Sequence, residues 1–129
     1  MGPVPGAIKQ FAKARYLNLE TFRKSGIGVR TPVWFAQAAQ GAILYVASEA
    51  DAGKVKRIRN SAAVRIAPCS LRGKVRGSWA QARARICGAD EAREGQLLLR
   101  RKYGWQKIIG DWFSRMLGHK QTLIAIELL

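Results

Sequence analysis

Hydrophobic and polar positions change period several times along this chain. Tyr16 to Phe22 and Gly28 to Ala36 read as strands. In the second, Val29, Thr31, Val33 and Phe35 alternate with Arg30, Pro32, Trp34 and Ala36, the period of two that a half-buried strand requires. Arg23-Lys24-Ser25-Gly26 interrupts the two like a turn, so the pair reads as a hairpin. Pro32 has no backbone N–H, which places its strand at a sheet edge or makes it locally irregular. Gln40-Gly41 reads as a second turn, followed by a third strand from Ala42 to Ser48. Ala63 to Cys69 predicts a fourth strand and Val75 to Cys87 a long fifth, with Ala82, Ala84 and Ile86 facing opposite to Arg83 and Arg85. Thr122 to Leu128 predicts the last.

Helical periods fall between and after these strands. Residues 6–15 carry Ile8, Phe11 and Ala12 on one face. Asp51 to Asn60 sets Val55 and Ile58 one turn apart, with Asp51 as a cap. Asp90 opens a helix running to about Lys102 and ended by Gly104. Next, Trp105, Ile108, Ile109, Trp112, Phe113, Met116 and Leu117 form one stripe, opposite Gln106, Lys107, Asp111, Ser114 and Arg115, and Gly118 closes the segment. A stripe on a helix of ordinary globular length is expected to cover a core rather than to enter a membrane. Meander strands with helices between and after them predict a mainly β fold, an antiparallel six-stranded barrel with short covering helices, in one domain over residues 1–129.

Charge sharpens this picture. Lys and Arg number 23 against 8 Asp and Glu, a net charge of +15. Between Ala52 and Cys87 there are ten basic residues and no acidic one. Such a block repels itself unless an anion or solvent screens it, so a polyanion, an anionic surface or a phosphorylated cofactor is the expected partner. Single-stranded nucleic acid fits less well, because Trp79 is the sole aromatic residue within that block and stacking needs several. Cys69 and Cys87 have neither metal nor redox spacing, and read as reduced thiols. No run of apolar residues approaches the ~18 needed to span a bilayer, and Met1 to Ala7 lacks the charged and apolar regions of a leader. These features fit a cytoplasmic protein.

Catalytic parts are sparse. The one histidine, His119, sits in a turn-like Gly-His-Lys. Carboxylates are scattered, and no nucleophile elbow, P-loop, dinucleotide fingerprint or zinc spacing occurs. A cofactor that brings its own chemistry fits this poverty, leaving the protein to bind and orient it. Gly53-Lys54-Val55-Lys56-Arg57-Ile58-Arg59-Asn60 is the best anion site: Lys54 and Arg57 share a face where a helix should begin. Thr31-Pro32-Val33-Trp34-Phe35 offers unpaired backbone groups beside an aromatic, suited to the edge and face of a flat heterocycle.

The succession Thr31-Pro-Val-Trp-Phe35, Gly53-Lys-Val-Lys-Arg-Ile-Arg59, Val64-Arg-Ile-Ala-Pro-Cys-Ser-Leu-Arg-Gly73 and Lys102-Tyr-Gly-Trp105 resembles the deazaflavin-dependent members of the pyridoxamine 5′-phosphate oxidase-like superfamily. The resemblance spans roughly Tyr16 to Trp105 together with the last strand. It implies a split β-barrel, a homodimer, and coenzyme F420 or else FMN in a groove at the subunit interface. It assigns Lys54 and Arg57 to the cofactor phosphate, Thr31, Pro32, Val33 and Trp34 to the ring, and Ser48 to a phosphate contact. Ala52 stands where such sequences often carry Ser, which removes one phosphate-facing hydroxyl.

The function implied is hydride transfer between the cofactor and a small electron-poor organic molecule. A cofactor-storage module without turnover and a basic nucleic-acid-binding barrel are the alternatives. No proton donor is assigned; Tyr45 and Arg30 qualify only by adjoining the ring-binding strands. Trp79 and the Lys102–Trp105 block are the candidates for a second subunit's share of the groove.

Overall fold

The computed structural model describes residues 5–38, 42–118 and 120–129. The expected turn at Gln40-Gly41, His119 and the first residues of the chain lie outside these. In chain order the elements are α1 (Pro5–Lys9), β1 (Tyr16–Phe22), β2 (Gly28–Val33), β3 (Ala36–Gln37), β4 (Ile43–Glu49), α2 (Gly53–Asn60), β5 (Ala63–Cys69), β6 (Ala80–Ile86), α3 (Ala89–Tyr103), α4 (Trp105–Met116) and β7 (Gln121–Leu128).

The strands form one curled antiparallel sheet in the order β2-β1-β5-β6-β7-β4-β3. The hairpin holds, with Leu17 opposite Val33 and Phe22 opposite Gly28. Pro32 lies opposite Asn18 on the edge strand β2, where its missing donor breaks no ladder. Val33, Trp34 and Ala47 line one cleft, so the β2 end of the sheet approaches β4 there and the barrel is split at that seam. The sheet has seven strands rather than six, because the expected Gly28–Ala36 strand breaks at Trp34-Phe35. Phe35 gives its N–H to the Tyr103 hydroxyl instead of to a strand. The expected Val75–Cys87 strand is shorter, Ala80–Ile86, with Val75 reduced to an isolated bridge to Cys69. Gln10 holds the intervening backbone by hydrogen bonds to the Ser78 N–H and carbonyl.

Two apolar layers follow from strand alternation. Leu17, Leu19, Leu44, Val46, Ile66, Ile124 and Ile126 fill the inside of the barrel, joined by Val55 and Ile58 of α2 and by Phe11. On the outer face of β4 and β7, Tyr45, Leu123 and Ala125 pack under Leu99 and Tyr103 of α3. Gly95 makes that contact close: a Cβ there would stand 2.0 Å from Leu123 Cδ2. The Gly104 stop takes φ 63°, the left-handed region that favours glycine.

Helix α4 forms where its pattern predicts, but inside out. Its apolar stripe faces solvent, with Trp105 69% and Met116 64% exposed, while Lys107 is buried. The expected core cover is therefore provided by α3, not α4. The reason lies in the preceding side chains: Leu99 and Tyr103 already occupy the outer face of the sheet. α4 is held by its polar side instead, where Asp111 pairs with Lys107 and with Arg100 of α3 at 3.4 Å. No helix among the described residues is long and apolar enough to cross a membrane.

Candidate functional site

Helix α2 leaves β4 and lays Val55 and Ile58 into the barrel, packed near β1 and β6. Its cap is Ala52, without a side-chain hydrogen bond, and its first turn has no acidic residue. The expected Asp51 cap does not form. The positive end of the helix thus has no side-chain cap and no acidic residue in its first turn, a condition in which backbone amides attract an anion.

Lys54 emerges half-buried from this first turn, and Arg57, half-buried in the last turn, brings its guanidinium back beside Gly53. Arg57 Nε donates to Thr21 Oγ1 at 2.6 Å, which anchors the guanidinium on the inner face of β1. Burial and the neighbouring Arg57 charge push the Lys54 ammonium below its ordinary pKa. Glu49 works against that shift, but burial and Arg57 outweigh it, so the pair forms a site that a further anion would relieve.

Thr31 lies opposite Leu19, and Thr21 opposite Val29. Opposed residues of an antiparallel pair point to the same face, so Thr31 and Val33 share the inner face with Thr21 and Arg57. Of the ring candidates, Thr31 and Val33 are thereby brought to the same side of the hairpin as Arg57, whereas Pro32, opposite Asn18, and Trp34, packed on Tyr103, lie on the other. Ser48 also belongs to the inner face, two residues beyond Val46. It is buried, and its hydroxyl donates to the Glu49 carbonyl at 3.2 Å.

Trp34 sits at the seam. Its indole is stacked on the Tyr103 ring, 4.4 Å between centroids. Beside it a cleft of about 270 Å³ is bounded by Val33, Ala47, Leu99, Lys107, Asp111 and Gln121. Clefts of about 540 Å³ along α3 and about 450 Å³ between α1 and β5 include neither Lys54 nor Arg57.

The two residues considered as proton donors are engaged elsewhere. Arg30 lies on the outer face, paired with Glu20 at 2.7 Å. Burial works to raise the Glu20 pKa, but Arg30 and Arg65 outweigh it and hold the carboxyl below its ordinary range. Tyr45 is buried under α3 and donates to Glu91 at 3.0 Å; burial and that carboxylate push its phenol up to about 12. Trp79 packs against the guanidiniums of Arg30 and Arg65, which stand 4.7 and 5.0 Å from its ring centroid. Tyr103 and Lys102 turn inward: Lys102 Nζ donates to the Phe35 carbonyl at 2.9 Å, and the Tyr103 hydroxyl accepts from the Phe35 N–H. Of the groups set aside for a second subunit, only Trp105 is fully displayed.

Sequence reasoning missed Thr21 and Tyr103. The β-branched Thr21 resembles any strand residue, and only the return of α2 onto β1 gives it a partner. Tyr103 was within the family-like Lys102–Trp105 block, but its link to residue 35 spans 68 positions.

No protein-family profile and no curated protein sequence matches the chain. Solved structures do. The heme storage protein HutZ of Vibrio cholerae superposes with a TM-score of 0.71 at 14% identity, covering 100% of this chain and 92% of that one. An F420 reductase gives 0.61 at 17% identity, covering 98% and 96%. A Listeria innocua protein named as a candidate pyridoxamine 5′-phosphate oxidase gives 0.62 at 16% identity, covering 93% and 88%. Identities this low speak for backbone shape alone. The chain has the split-barrel fold that these structures share.

Proposed function

We propose that this protein is an oxidoreductase subunit that binds a flavin-type cofactor, F420 in preference to FMN, and moves hydride to or from a small electron-poor organic molecule. The observation that carries the reading is the first turn of α2. Lys54 and the returning guanidinium of Arg57 meet at an uncapped helix end with no acidic residue in its first turn, and Arg57 shares the inner face of the hairpin with Thr31 and Val33. That donor set suits a phosphate: fixed amides, one point charge and one forked guanidinium.

In this reading Lys54, Arg57 and the first amides of α2 hold the phosphate. Thr31, Pro32, Val33 and Trp34 line the ring from the split edge, where the unpaired side of β2 leaves backbone groups free to meet a heterocycle. Ser48 joins only by turning its hydroxyl from the Glu49 carbonyl. When bound, a reduced deazaflavin supplies the hydride from its central ring carbon. The chain's own contribution is to orient the ring, to exclude water at the seam and to neutralise the phosphate.

The basic surplus favours F420, whose phosphate and glutamate tail offer several charges where FMN offers the phosphate alone. Two copies would complete the groove, since a chain of 129 residues has little volume left beside its own core for a ligand pocket. Fluorescence titration with F420 and with FMN at low and high salt tests the reading. Tighter F420 binding that weakens with salt is expected. Equal, salt-insensitive affinities would refute the preference. A stable F420 complex inert to acceptors would indicate a storage module.

A further inference from the structure

We propose that α4 is a docking element for an anionic lipid surface. The helix shows its apolar residues outward and its polar ones inward. Trp105, Ile108, Ile109 and Met116 are all exposed along one stripe, with Trp112 on the same side at 56% exposure. Opposite them, Lys107 and Asp111 are turned into the protein, paired with each other and with Arg100. Rotating the stripe inward would carry Lys107 and Asp111 out to solvent and break the Asp111–Arg100 pair that ties α4 to α3. An exposed apolar stripe of this kind marks a contact with another apolar phase.

Charge selects the occupant. From Gly95 to Ile126 the chain has six basic residues, Arg100, Arg101, Lys102, Lys107, Arg115 and Lys120, and one acidic residue, Asp111. That one carboxylate is turned inward, so no acid of α4 faces out beside the stripe. Arg115 flanks the apolar residues on the helix itself, and Arg101 and Lys120 are exposed nearby. An apolar stripe carrying tryptophan, fringed by cations, is the arrangement of helices that lie in the headgroup region of anionic bilayers. A second copy of the chain is the poorer partner. Stripe against stripe would bring the cationic fringe of one copy against that of the other, between subunits of +15 each. The inference stands on α4 and its surroundings, and is independent of the cofactor reading.

The test uses the full chain with phosphatidylcholine vesicles, with and without phosphatidylglycerol. The expected result is co-sedimentation with the phosphatidylglycerol vesicles only, with a blue shift in tryptophan emission. Trp34 and Trp79 are already packed against Tyr103 and two arginines, so the shift reports Trp105 and Trp112. Ile109→Asp should weaken partitioning by about tenfold or more, the loss of one buried aliphatic side chain. Arg115→Glu, which leaves the stripe apolar, should weaken it too while leaving the sedimentation coefficient unchanged. Failure to bind phosphatidylglycerol vesicles would overturn the proposal. So would Ile109→Asp binding as well as the parent. Retained vesicle binding by Arg115→Glu together with a dimer that dissociates in Ile109→Asp would assign the stripe to a second copy instead.

Discussion

Trp34 lies flat on Tyr103, with the two rings 6° from parallel, and this stack joins the edge of the split barrel to the end of α3. The Tyr103 hydroxyl continues the joint. It accepts from the Phe35 N–H at 3.0 Å and donates to the Arg15 carbonyl at 2.6 Å. Three segments distant in sequence thus meet at one oxygen. Tyr103→Phe keeps the stack and removes the oxygen, leaving a buried N–H without an acceptor. Such a loss costs roughly 1–3 kcal/mol. Urea unfolding should show that decrease, and a variant as stable as the parent would mean that water replaces the hydroxyl.

Gly95 sets how closely α3 approaches the sheet. A methyl group there would overlap Leu123 and stand 3.0 Å from Tyr45 Cγ. Gly95→Ala gains helix propensity, worth about 0.8–1.0 kcal/mol in an open helix. The overlap should outweigh it, since overpacking costs about 1–3 kcal/mol and here the backbone of a helix must move. Net destabilisation is the expected outcome in thermal melts. A stabilised variant would show that Leu123 has room to turn away.

Acid should loosen the same contact. The Arg85 hydrogen bonds, helped by Tyr45, hold the Glu91 carboxyl at about 2, well under the ordinary value of 4.5. A carboxyl whose folded pKa is depressed contributes stability above its unfolded pKa and loses it as pH falls through the folded one. The contribution of Glu91 is therefore full above about pH 4.5 and fades between there and about pH 2. Arg85 is half exposed, so solvent reduces the size of the effect. Glu91→Gln should be less stable than the parent at neutral pH, and the gap should close across that window. A gap constant with pH would rule out the ion pair as its source.

What the sequence revealed depended on whether a signal was local. The hairpin, the edge position of Pro32 and the Ala82–Ile86 alternation follow from period two and from the chemistry of proline. The basic first turn of α2 was legible for the same reason. The break at Trp34-Phe35 was not, because its cause is Tyr103, far along the chain. The reversal of α4 was hidden differently. Periodicity locates a stripe but does not say which side faces in; Leu99 and Tyr103 had already taken the sheet, and Asp111 fixed the outcome by pairing inward. Lys54 and Arg57 look alike in the sequence, yet they differ in their neighbours.

That difference yields a separable pair of outcomes. On the cofactor reading, Lys54→Ala and Arg57→Ala should each weaken F420 binding by about 1.5–3 kcal/mol, the range for hydrogen bonds to charged groups. Without cofactor the two should diverge. Arg57 reaches the buried Thr21 hydroxyl at 2.6 Å, so Arg57→Ala strips an inner-face group of its donor and should lower the melting temperature. Lys54 lies where burial and Arg57 disfavour its charge, so Lys54→Ala should leave the cofactor-free protein as stable as the parent or raise it slightly. Melting curves and F420 titrations on the same two variants separate the roles. Lost affinity in Lys54→Ala with unchanged stability would identify a ligand contact. Undiminished affinity in both variants would place the anion elsewhere in the basic block, with Arg72 to Arg76 the next residues to test.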